Sequence, residues 1–120
     1  MRALSGIVLV ALLGLVGVGL AAAQQTFRIT FHRGQDEISS IVLVGEVVND
    51  GPRDVVDVWV SARAENAENK VVGRGMAYVT TFLPGRGTTA FVVKLPRVED
   101  ARSFQLVVSS YRYAYAAQSP

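Results

Sequence analysis

The chain contains no cysteine. That absence removes three options at once: a disulfide staple, a thiolate metal site and lipid attachment through a thiol. There is one histidine, His32. A single imidazole without thiolates does not make a typical zinc site, which wants three or four N or S ligands. A hydrolytic triad would need a placed serine and acid as well, and no G-x-S-x-G nucleophile elbow occurs. Charge is sparse too, at 18% of residues, with 12 basic against 10 acidic side chains. Without Arg2 the count is 11 against 10, a balance that implies neither nucleic acid nor an anionic membrane surface as partner. From residue 24 onward no segment shows a helical apolar period. These absences predict a protein that is not an enzyme and that uses no metal and no cofactor.

What is present begins with Met1-Arg2, followed by an uncharged apolar run from Ala3 to Ala23. A basic start, an apolar stretch and small residues at Ala21 and Ala23 match a secretory signal peptide, with cleavage expected after Ala23. The 21-residue run also suffices, as a helix, to cross a bilayer core. The alternative is therefore an uncleaved anchor in residues 1–23. Either way the remaining domain, residues 24–120, is expected to be exported, periplasmic or extracellular. Membrane contact is confined to residues 1–23 if they are retained. Without a disulfide, its core must hold by apolar packing alone.

Residues 24–120 read almost entirely in period two, the signature of strands. Phe27, Ile29 and Phe31 alternate with Arg28, Thr30 and His32. Ile41 to Val48 is apolar on both parities apart from Gly45 and Glu46, the profile of a central strand, and Asn49-Asp50-Gly51-Pro52 ends it, with Asn49 read as a turn residue that tolerates positive φ. Between Val55 and Ala64, the valines Val56, Val58 and Val60 with Ala62 claim one face. Asp57, Trp59, Ser61 and Arg63 take the other. A strand from Val71 to Thr81 carries Gly73 and Gly75, which predicts a bulge or a close backbone approach. In Pro84-Gly85, proline and glycine suit the two central positions of a type II turn. Strands from Thr88 to Leu95 and from Phe104 to Tyr113 complete the set. The expectation is an all-β, immunoglobulin-like two-sheet antiparallel sandwich of six or seven strands, preceded by an apolar signal helix. Val47, Val58, Val60, Phe91 and Leu106 are predicted to share its core, with Gly45 beside them.

With the strands placed, Gly45, Val47 and Asn49 form a G-x-V-x-N step, and Leu83-Pro84-Gly85 with Phe91 form an L-P-G…F step. Together with Val56/Val58/Val60 and Lys70-Val71-Val72, they resemble the FxLYD domain, a family of small β-sandwich modules of prokaryotic envelope and secreted proteins. The resemblance spans roughly residues 40 to 110. It departs from the family at the name-giving aromatic strand, which here reads Arg63-Ala64-Glu65-Asn66. Asn66 stands where the family has Asp and Asn69 where it has a turn glycine. The resemblance implies the fold and a non-catalytic role, not a ligand.

His32 reads as a solvated surface residue. Asp50, Asp54 and Asp57 lack the spacing of a calcium loop and surround Arg53, so Asx turns and solvation account for them. Neither glycine pair, Gly73/Gly75 nor Gly85/Gly87, opens a helix, so neither is a phosphate loop. The aromatics are the candidates for binding. Trp59 lies opposite the valine face, and Tyr111 and Tyr113 alternate with Arg112 near the chain end. Tyrosine and tryptophan offer contact area with a polar tip. Trp59, Tyr111 and Tyr113 are accordingly expected on outward faces as one interaction surface for an envelope protein or a glycan. Their structural alternative is a sheet-edge cover and a terminal clamp. A second functional reading is an accessory subunit or small-ligand carrier with a pocket between the sheets.

Overall fold

The computed structural model describes residues 19–20 and 27–114. Six strands follow in order: β1 (Phe27–Arg33), β2 (Ser40–Asn49), β3 (Val55–Glu65), β4 (Val71–Leu83), β5 (Thr88–Pro96) and β6 (Ser103–Tyr113). All pairings are antiparallel and build two sheets of three strands, β1-β2-β5 and β4-β3-β6. A two-residue stretch, Gly19–Leu20, pairs with Phe31 and Thr30 on the outer edge of β1. The remainder of the segment read as a signal helix lies outside the described residues. Among the described residues there is no helix, and none long and apolar enough to cross a membrane.

The alternation seen in the sequence becomes the inward face. β1 alternates buried and exposed residues from Phe27 to His32. Along β5, Phe91, Val93 and Leu95 are buried while Val92 and Lys94 are exposed. The inward residues of both sheets meet in one apolar cluster, which includes all five predicted core residues, Val47, Val58, Val60, Phe91 and Leu106. Burying a Val, Leu or Phe side chain contributes about 1.5–3 kcal/mol, and this cluster is what replaces the missing disulfide.

Strict alternation fails in β3 and in β6, and the β3–β4 ladder skips Val72 and Val79. Asp57 has φ of 53° and no partner in either neighbouring strand, and the register of β3 against β6 shifts there. The extra residue turns Val55 inward with Val58 and leaves Val56 half-buried on the outer face, opposite Phe82 and Arg112. Val56 is thus not a member of the inward valine face. In β6 the ladder passes from Val108 to Ser110, skipping Ser109. That bulge flips the parity of everything after it.

The turns are built differently from the expectation at two points. Gly87 N–H donates to the Pro84 carbonyl at 2.9 Å, and the left-handed residue is Arg86, with φ of 66°, not Gly85. The turn therefore has Gly85 and Arg86 at its centre. Gly85 is needed for space: a Cβ there would lie 2.4 Å from the Pro52 carbonyl oxygen. Asn49 does not serve as a positive-φ turn residue; its side chain is fully buried. Its Nδ2 donates to the carbonyls of Arg53 at 2.8 Å and Pro84 at 3.3 Å, and its Oδ1 accepts from Gly51 N–H at 3.0 Å. One side chain thereby fastens the β2–β3 connection to the β4–β5 turn. Asn69, with φ of 66°, does take the left-handed turn position, and Asn66 Oδ1 accepts from the Glu68 and Lys70 amides.

Candidate interaction surface

The outer face of the β4-β3-β6 sheet follows from cross-strand register. Trp59 lies opposite Tyr78 and Ser110; Ser61 lies opposite Met76 and Val107; Arg63 lies opposite Arg74 and Gln105. Trp59 is half-buried because the Tyr78 ring stands against it edge-on, with centroids 5.3 Å apart and planes at 69°. Around them Tyr78, Met76 and Phe82 are 46%, 61% and 49% exposed. An apolar centre of this kind on an open sheet face is the arrangement that marks contact sites.

The rim is polar and ordered by one carboxylate. The Tyr78 hydroxyl donates to Asp57 Oδ1 at 2.9 Å and lies 3.0 Å from Thr81 Oγ1. Arg112 Nη2 bonds Asp57 Oδ2. The hydrogen bond from Arg112, and then that from Tyr78, hold the Asp57 carboxyl below its ordinary range. The bulge that gives Asp57 its positive φ thus aims its carboxylate at both partners. At the other end, Arg63 and Arg74 are register partners of like charge, relieved by Glu65, whose Oε2 accepts from Arg63 Nε at 2.9 Å.

Tyr111 and Tyr113 do not join this surface. The Ser109 bulge turns both toward the core side of the sheet, where they pack against the apolar cluster. Tyr111 meets Phe27 of β1 with centroids 4.9 Å apart, and Tyr113 at 5.6 Å, while the Arg53 guanidinium lies 3.7 Å from the Tyr113 ring centroid. The single patch of Trp59, Tyr111 and Tyr113 is therefore corrected: Trp59 stands on the outer face and the two tyrosines prop β6 against β1. Tyr78, Met76 and Phe82 were not singled out in the sequence. Two of them were legible there, since Arg74, Met76 and Tyr78 alternate outward along β4; beyond Tyr78 the ladder skips Val79 and sets Thr80 opposite inward Val58.

His32 is exposed on the outer face of the other sheet, in a groove of about 330 Å³ with Thr30, Val44, Gly45, Glu46 and Ala90. This groove lies outside the sheets, not between them. Asp50 is paired with Arg28 and Asp54 accepts from the Gly85 amide at 2.9 Å. Among the described residues, no three or more His, Asp and Glu side chains converge as metal ligands. Comparison with protein-family models, with curated proteins and with solved structures finds no match. The resemblance to FxLYD domains thus rests on the residues named for it alone.

Proposed function

We propose that this chain is an exported, non-catalytic interaction module of the envelope or secreted fraction. Its fold is taken as immunoglobulin-like and FxLYD-like, and its ligand as a protein or glycan bound on the outer face of β4-β3-β6. The observation that carries the proposal is the Trp59–Tyr78 pair, set among exposed Met76 and Phe82 and rimmed by the Asp57–Arg112 ion pair. Aromatic anchors within a polar rim are the residues that dominate binding at interfaces. The apolar start of the chain with Ala21 and Ala23 supports export. Mass spectrometry of the exported protein is expected to find Gln24 at its N-terminus; intact Met1–Pro120 in the membrane fraction would point to the anchor instead.

The binding face is tested by probing envelope extract and a glycan array with the wild-type chain and with Trp59→Ala and Tyr78→Ala. Both substitutions are expected to abolish capture while leaving the melting temperature close to that of wild type. Undiminished capture by both variants would move the binding site elsewhere.

A further inference from the structure

Two sheets of three strands have four outer edges, on β1, β5, β4 and β6. Exposed edges are templates for another chain, and folded proteins blunt them with charge, proline or a covering segment. Three of the four are blunted here. β1 carries Arg28 and Arg33 within its seven residues. The β4 and β5 edges close on each other: a Cβ on Gly75 would lie 2.1 Å from the Lys94 carbonyl oxygen, and β5 ends at Pro96.

The fourth edge carries such devices only towards its end, at the Ser109 bulge and Arg112. β6 pairs with β3 on one side, and among the described residues no strand pairs with its other side. From Ser103 to Tyr111 it contains no charged residue, no proline and no glycine. Its ladder with β3 is regular from Ser103 to Val108, before the Ser109 bulge. A regular, neutral edge is what a paired strand looks like when its partner lies on another molecule.

We propose that β6 pairs antiparallel with β6 of a second copy of this chain about a twofold axis near Leu106, merging two β4-β3-β6 sheets into one. A twofold interface brings each residue against the same surface, so it succeeds only where no charge meets its like. The neutral run satisfies that condition, and β1, with its arginines, does not. The side chains nearest the axis on the outer face are Gln105, which is exposed, and Val107, which is half-buried. Both Trp59 clusters then lie on one side of the merged sheet. The pairing does not depend on what that face binds.

The absence of cysteine makes the test clean, because a single introduced thiol can link only to its counterpart on another copy. Full-length chains bearing Gln105→Cys or Val107→Cys are treated with a thiol cross-linker spanning about 8 Å, the diagonal separation across an antiparallel pair. Val92→Cys, at an exposed site on the other sheet, is the control. Gln105→Cys and Val107→Cys are expected to give several times more covalent dimer than the control. Adding Gln105→Lys to Val107→Cys should suppress the dimer while leaving the melting temperature unchanged. No dimer at 105 or 107, or equal yields at 92, would overturn the pairing; either result would follow if the edge is covered by the chain itself or by a different protein.

Discussion

The two open ends of the sheet pair are finished in opposite ways. On the β4/β5 side, strands meet backbone to backbone, because Gly75 has no side chain to keep Lys94 away. On the β1/β6 side, large rings hold the strands apart: Phe27 against Tyr111 at one end of β1, and Arg33 5.7 Å from the Phe104 ring centroid at the other. One side is sealed by the removal of atoms and the other is propped by their addition. Sealing consumes both strand edges. Propping leaves the outer edge of β6 without a strand partner among the described residues, and that is the edge proposed above to pair with a second copy.

The sharpest way to break the comparison is Gly75→Val. Its Cβ would fall within 2.1 Å of a backbone oxygen, which no side-chain rotation relieves. Two strands must part, and chemical denaturation should show a loss of about 3 kcal/mol, the upper end of overpacking costs. Gly73→Ala tests whether the effect is local. Its new methyl group finds its nearest neighbours at 3.8 Å, so stability should change by no more than about 0.5 kcal/mol. Equal losses at both glycines would mean that general strand propensity, not the close approach, is responsible.

Next in size is Asn49→Ala. The substitution strands the buried Gly51 amide and removes the donor to the part-buried Arg53 carbonyl, with an expected cost of about 2–3 kcal/mol. On the propped side, Tyr111→Ala removes a half-buried ring from between β1 and β6, and a loss of about 1–2 kcal/mol is expected. A stability change near zero there would show that the rings fill space without holding the strands.

The alternation of apolar residues made all six strands legible, and with them the core. It could not reveal the bulges at Asp57 and Ser109, because an extra residue is invisible until a partner strand fixes the register. That is why Trp59 was placed correctly on the outer face while Val56, Tyr111 and Tyr113 were not. The glycine at Gly75 announced a close approach, but which strand approached was a matter of topology. Asn49 looked like a turn former because its type favours turns; its buried role depends on carbonyls contributed by Arg53 and Pro84, the latter far away in sequence.

The smallest expected effect is electrostatic. Asp50 and Asp36 are held below the ordinary carboxylate range by hydrogen bonds from Arg28 and Arg33, as Asp57 is by Arg112. A carboxyl depressed in the folded state stabilises above its unfolded value of about 4 and loses that contribution as pH falls through the folded value. These ion pairs lie at the surface, in contact with solvent, so the melting temperature should fall only slightly between neutral pH and pH of about 4, then more steeply in stronger acid. The Asp57→Asn variant should show a shallower acid decline than wild type.

The contrast between the two sides is tested most directly by amide hydrogen exchange on the full chain carrying Gln105→Lys, in which self-pairing of β6 is blocked. The amides of Ser103 to Val108 should then alternate, slow where they point at β3 and fast where they point away, while the central strand β2 is slow throughout. Uniformly slow exchange along β6 in that variant would mean that the edge is covered within the same molecule, and the account of a sealed side and an open one would be wrong.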